Sequence, residues 1–294
     1  MTPNFDNFTF DGDVSISLTV NKELLTGDLK KQITLHAKEL NFQSATFKVA
    51  DKDDEEMAKN ASDSHHMHVV ADEIRVNLKD TTATFCFPSE IPETARSIVL
   101  DISFSGYLNN QMAGFYRSKY TDIEGKEKFM ASTQFEALDA RRAFPCFDEP
   151  ARKAVFGFTI VIPSHLHAFS NMPEKECISL SKDKKQISFL DTPKMSSYLL
   201  AYCVGEFDYV QAQTKNGVLI KVYTPPGKST SGTFALDCAT QCLDLYDEFF
   251  GCHYPLPKLD MVAIPEFAMG AMVWIYLFVF CIISCWHALV GVSV

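Results

Sequence analysis

The sequence predicts a mainly β protein: an N-terminal antiparallel β-sandwich domain followed by the first strands and helix of an α/β domain. Three observations predict it. Apolar and polar residues alternate through roughly the first two hundred positions, as they do when one sheet face is buried. Turn formers such as Asp11-Gly12, Glu124-Gly125, Pro163 and Asn216-Gly217 punctuate these runs. After Tyr223 the apolar period lengthens to that of a helix.

Each element follows in order. Val14, Ile16, Leu18 and Val20 alternate with Ser15, Ser17 and Thr19, and Ile98, Leu100, Ile102 and Phe104 repeat the pattern, as do Phe156, Phe158, Ile160 and Ile162. Shorter strands are expected at 45–49, 74–78, 83–87, 129–133, 186–190, 198–204 and 218–223. Pro225-Pro226-Gly227 then breaks the chain, and Ser229, Thr230 and Ser231 offer helix N-caps. Phe234, Cys238, Cys242, Leu245 and Phe249 recur at helical spacing, which reads as a core-facing stripe, and Gly251 suits a left-handed helix end. A last strand is expected at 258–264. The domains are therefore 1–212, all β, and 213–272, the start of an α/β domain, with the boundary near residues 210–216; an apolar tail occupies 273–294.

The chain is long enough to bury a sizeable core, and 22% charged against 47% apolar residues is a globular composition. A net charge of −10 disfavours nucleic-acid partners, since a duplex would repel such a surface. The acidic run at 51–56 reads as a solvated loop. Nine cysteines, an odd number without a C-x-x-C pair, read as buried free thiols in a reducing compartment. The first ten residues contain neither a basic nor an apolar leader region, so a cytoplasmic location is expected. Residues 273–294 carry no charge and are long enough for a bilayer-spanning helix, the alternative being a membrane location through this tail.

Chemistry is sparse by motif alone. None of the eight histidines is followed by Glu, so there is no H-E-x-x-H zinc helix. His65, His66 and His68 cluster in a polar stretch and read as a loop, not a metal site, for want of further ligands. Cys238 and Cys242 lie one helical turn apart and read as core packing, while no nucleophile elbow or phosphate loop is present.

Two segments say more. One runs Thr133-Gln134-Phe135-Glu136 and then D-A-R-R-A-F-P-C-F-D-E-P over residues 139–150; the other is P-E-F-A-M-G-A-M over 265–272. Both resemble the zinc aminopeptidases of the aminopeptidase N and puromycin-sensitive type, as do 194–204 and 254–264, so that the resemblance covers 3–272. It implies that the α/β part is the opening of a thermolysin-like domain, truncated here. It further implies that Glu136 anchors the α-amine of a peptide with a free N-terminus through charge-assisted hydrogen bonds, with Gln134 lining the same pocket. Asp139, Arg141, Arg142, Asp148 and Glu149 are expected to form an ion-paired loop supporting that strand end. Gly270, Ala271 and Met272 match the family's G-A-M-E-N substrate loop, whose backbone can pair with an extended peptide. Val273 and Trp274 stand where that motif has Glu and Asn.

The expectation is thus the N-terminal part of a zinc metallo-aminopeptidase without catalytic residues of its own. Zinc belongs to the intact family enzyme and none is expected to bind this chain. The abrupt change at Val273 reads as translated intron or shifted frame. A non-catalytic peptide- or partner-binding form, held on a membrane by its tail, is the alternative.

Overall fold

The computed structural model describes residues 1–23, 25–50, 68–266, 271–274 and 277–281, the last two stretches by backbone alone. The described chain forms two compact units. The first comprises Met1, Thr9–Tyr107 and Arg141–Asp148; the second comprises Thr2–Phe8, which holds the short strand β1 (Thr2–Asn4), Leu108–Ala140 and Glu149–Val294.

The first unit is a β-sandwich. One sheet has β2 (Thr9–Thr19), β8 (Ser97–Tyr107), β4 (Asn41–Ala50) and β5 (His68–Val70) side by side; the other has β3 (Gln32–His36), β7 (Thr82–Cys86) and β6 (Glu73–Asn77). All the pairings among these strands are antiparallel. The alternation read in the sequence is the pleat: along β8, alternate residues Ile98, Leu100, Ile102 and Phe104 are buried. The sheets meet through edge-to-face pairs, Phe42 on Phe85 at 5.2 Å and Phe47 on Phe87 at 4.8 Å. Gly12 and Gly106 admit the rings of Phe104 and Phe10, their cross-strand partners, where a Cβ would collide with ring carbons.

The second unit has three sheets. β12 (His167–Ser170), β15 (Tyr202–Gly205), β10 (Glu127–Gln134) and β9 (Gly114–Thr121) form one; β11 (Thr159–Pro163), β14 (Lys184–Phe189) and β13 (Glu174–Ser179) form another. The third has the order β16 (Asp208–Gln213), β17 (Leu219–Thr224), β18 (Lys258–Ile264), β20 (Leu277–Cys281), β19 (Ala271–Trp274). β17 and β18 run parallel, which requires a crossover, and helix α1 (Thr233–Phe250) supplies it. This sheet is apolar on both faces. Ile220, Val222 and Ala263 pack with Leu236 of α1, while Tyr223, Val262 and Ile264 join Tyr116, Met130 and Cys203 in a second cluster.

The mainly β fold with a short α/β continuation is as the sequence indicates, with local corrections. The strand expected from Phe156 starts at Thr159. The run 198–204 begins as a 3₁₀ turn, Ser197–Leu199, and becomes β15 only at Tyr202, because the Asn171 side chain donates to the Leu199 carbonyl and accepts from the Ala201 N–H. None of the three hydroxyl residues caps α1: Ser229–Gly232 forms a 3₁₀ turn, and the N-cap is Gly232, without a side-chain hydrogen bond. Gly251 does close the helix in the left-handed region, at φ 64°.

The larger correction concerns the face of α1. The stripe read as core is solvent-facing: Phe234 is 63% exposed, Leu245 58% and Phe249 76%, and Cys238 and Cys242 are exposed as well. The helix packs instead on Leu236, with Ala235, Ala239 and Leu243 beside it. The cysteine reading changes accordingly. Cys86, Cys146 and Cys203 are buried and Cys177, Cys238, Cys242 and Cys252 exposed, all seven as free thiols.

The spanning-helix reading of 273–294 is also corrected. Ala271–Trp274 and Leu277–Cys281 are strands, and no helix among the described residues is long and apolar enough to cross a membrane. The rest of that tail, the acidic run 51–56, His65 and His66 lie outside the described residues; His68 begins β5.

Two measurements test this packing. Leu236→Ala should cost about 2–5 kcal/mol in urea unfolding, whereas Phe249→Ala should stay within about 0.5 kcal/mol, as a surface change does. Asp247 accepts from Asn216 Nδ2 (2.6 Å) and the Tyr254 N–H (2.8 Å), joining the end of α1 to the β16–β17 turn. The Asn216 amide, ahead of the Tyr254 and His253 contacts, holds its carboxyl below the ordinary value. Its contribution is therefore complete above the unfolded carboxylate range, about pH 4, and is lost as pH falls through the lower folded value. Asp247→Asn should lower the thermal midpoint at pH 7 and match the unsubstituted chain in strong acid.

Candidate functional site

β10 lies between β15 and β9, and its last residue, Gln134, pairs with Gly114. The side chain of Gln134 is 4% exposed, and neither its amide oxygen nor its amide nitrogen has a hydrogen-bond partner among the described residues. Burying a primary amide unpaired costs on the order of 1–3 kcal/mol per polar group, so both atoms stand ready for a partner. Phe135 turns the other way, fully buried, with its ring edge-to-face at 6.1 Å on Tyr202. Glu136 follows, exposed, with no ion-pair partner among the described residues, and a cis peptide joins it to Ala137. The end of β10 therefore presents an unpaired carboxylate two residues from an unpaired buried amide.

The second motif segment is tied to the same sheet. β18 ends at Ile264, and the Glu266 carbonyl then accepts from Tyr116 Oη (2.9 Å) and Ser118 Oγ (3.2 Å), while its carboxylate accepts from the Lys119 N–H (3.2 Å). All three donors are on β9, the strand paired with β10. Burial, foremost, pushes the Tyr116 hydroxyl up from its ordinary pKa, so it remains a neutral donor. Gly270 lies outside the described residues. Ala271 and Met272 begin β19, which pairs antiparallel with β20 and, among the described residues, lies at one edge of its sheet. An edge strand has a free row of backbone donors and acceptors that an extended peptide can take up.

The segment 139–150 is divided between the two units. Its central part, Arg141–Asp148, belongs to the first unit. Arg141 Nε donates to Asp148 Oδ2 at 2.9 Å and its guanidinium also reaches Thr81 Oγ1 at 2.7 Å. Arg142 pairs with Glu39 at 2.5 Å, and the Asp148 N–H donates to His36 Nδ1. Of the five residues expected to form an ion-paired loop, Arg141 and Asp148 pair with each other, Asp148 almost wholly buried, while Arg142 pairs with Glu39 outside the segment.

Sequence reasoning missed Tyr116, Ser118 and Glu266, whose contact spans 150 positions and leaves no local signal. It also missed Lys258, a buried ammonium that donates to the Ser170 carbonyl (2.8 Å) and pairs with Asp260. Burial pulls its pKa down and Asp260 opposes that pull. Among the described residues no group of three or more His, Cys, Asp or Glu is placed to hold a metal ion.

Peptidase M1 N-terminal domain matches residues 1–199, and Peptidase family M1 domain matches 234–280. The chain belongs to peptidase family M1. It is 41% identical over 273 residues to the puromycin-sensitive aminopeptidase of Caenorhabditis elegans, an alignment covering 92% of this chain and 26% of that protein. To the alanine/arginine aminopeptidase of Saccharomyces cerevisiae it is 40% identical over 274 residues, 92% of this chain and 29% of the yeast protein. Aminopeptidase M1-C of Oryza sativa is 55% identical over 174 residues, 59% of this chain and 20% of the rice protein. The chain thus spans less than a third of the length of these relatives.

Removing one partner of the buried pair in the first unit leaves an uncompensated charge. Asp148→Ala should cost about 3–5 kcal/mol in denaturant unfolding, while Lys30→Ala, on an exposed pair with Glu93, should leave the unfolding midpoint nearly unchanged.

Proposed function

We propose that this chain is the N-terminal, substrate-anchoring part of a zinc metallo-aminopeptidase that removes N-terminal residues from peptides. Glu136 accepts charge-assisted hydrogen bonds from the α-ammonium of the peptide. Gln134 lines the same pocket and takes up polar groups of the first residue. The backbone at Gly270, Ala271 and Met272 pairs with the peptide as an added strand. One observation carries this reading: exposed Glu136, without an ion-pair partner among the described residues, follows by two positions the buried, unpartnered Gln134 amide at the end of β10, whose neighbour β9 also holds Glu266. The relatives' names, all aminopeptidases, support the reaction class.

The zinc of the intact enzyme would supply an activated water and polarise the scissile carbonyl. These 294 residues include no H-E-x-x-H, so in our reading the polypeptide by itself positions a peptide without hydrolysing it. We place the start of the peptidase domain at residue 213, within the interval between the two family matches. The free thiols support a reducing, cytoplasmic setting.

The test uses an enzyme in which this segment is joined to a complete peptidase domain. Glu136→Ala should lower kcat/KM on free-amine peptides by the equivalent of about 1.5–3 kcal/mol, with Glu136→Gln intermediate and thermal stability unchanged. Equal efficiency in a folded Glu136→Ala enzyme rejects the anchor. The 294-residue chain alone should carry no stoichiometric zinc by metal analysis; one zinc per chain with chelator-sensitive turnover would reject that part of the reading.

A further inference from the structure

A cleft of about 320 Å³ lies within the second unit, lined from all three of its sheets, and none of the residues proposed for peptide binding lines it. A volume of that order holds a small organic ligand. Phe169 of β12 and Tyr223 of β17, whose rings stack at 3.8 Å, form its walls together with Ile187 and Phe189 of β14.

The charged residues of the lining are Lys185, Lys221 and Lys258 against Glu174 and Asp260. Three ammoniums and two carboxylates leave one net positive charge, in a chain whose own net charge is −10. Burial, and after it Lys185, holds His167 on the same lining toward its neutral form. Lys258, only 9% exposed, donates to the Ser170 carbonyl and to Asp260. An ammonium has three N–H groups, so one is left without a partner among the described residues, at a depth where an unmet donor is costly. Lys221 sits near enough to Lys258 for the two charges to repel. Its ammonium lies over the Tyr209 ring, 4.8 Å from the centroid, and neither Lys221 nor Lys185 is ion-paired among the described residues. Two neighbouring ammoniums beside aromatic walls favour an anion between them.

We propose that this cleft binds a small organic monoanion with a flat apolar body, of the arylcarboxylate class. The carboxylate accepts from Lys221 and from the remaining N–H of Lys258, and the ring packs on the aromatic walls. A dianion exceeds the local charge, and an inorganic anion leaves the apolar walls unfilled.

Cys177, on β13, is an exposed thiol that lines the cleft, and Cys252 is an exposed thiol that does not. The full chain is titrated with naphthoate by calorimetry, and iodoacetamide labelling at saturation is quantified peptide by peptide. Binding should saturate at one site per chain, with Cys177 alkylated about tenfold more slowly and Cys252 unchanged. Naphthylmethanol, the neutral counterpart, should bind about tenfold more weakly. Lys221→Met, which keeps the apolar stem at a half-buried position, should weaken naphthoate by a similar factor. The comparison of acid with alcohol needs no variant and decides the matter if Lys221→Met does not fold. Absence of saturable heat, equal affinity for acid and alcohol, unchanged affinity in folded Lys221→Met, or equal slowing at Cys252 each overturns the proposal. The measurement uses no peptidase activity and is independent of the role given to Glu136.

Discussion

The Glu266 carbonyl, held by the hydroxyls of Tyr116 and Ser118, is the contact on which the candidate site depends. β9 donates these bonds and at the same time pairs along its length with β10, whose end carries Gln134 and Glu136. A carboxylate that recognises an ammonium is useful only if its distance from the rest of the substrate path is fixed. β9 serves two segments about 130 positions apart in the chain, pairing with β10 and donating to Glu266. The neutral state of Tyr116, enforced by burial, keeps that link intact across the pH range in which a peptide amine is charged.

The second constraint is the loop between Ala140 and Glu149. The chain leaves the second unit directly after the Glu136 turn, spends Arg141–Asp148 in the first, and returns. Within the first unit this excursion is secured by the Arg141–Asp148 pair, the Arg141–Thr81 bond and the backbone bridge between His36 and Cys146. Desolvated charges are costly unless they are fully hydrogen-bonded, and here Asp148 accepts from the Arg141 guanidinium while the same guanidinium satisfies Thr81. Arg141 and Asp148, two of the residues that make 139–150 so distinctive in sequence, therefore hold the loop.

Much was legible in the residues themselves. Period-two alternation located β2, β8 and β11, because a strand with one buried face must alternate whatever lies opposite it. The unusual composition of the two motif segments carried the family. The helix was legible too, with its Gly251 end. Its orientation was not: Phe234–Cys238–Cys242–Leu245–Phe249 and Leu236–Ala239–Leu243 are both apolar stripes, and helical periodicity cannot say which one meets the sheet. β9 went unread because its apolar positions are interrupted by Arg117 and Lys119, whose polarity suits an edge strand.

The sequence by itself determined the strand-rich fold, the switch to a helix after Tyr223, the family, and the residue types that can bind an amine. These follow from local patterns, where burial of one face dictates which residue comes next. Tertiary structure alone decided that Glu266 hangs from Tyr116 and Ser118, that Arg141 is consumed by Asp148 and Thr81, that Gln134 is left unpaired, and that the larger apolar face of α1 points outward. Each of these depends on which distant groups compete for one hydrogen bond or one packing surface, and local periodicity has no access to that competition.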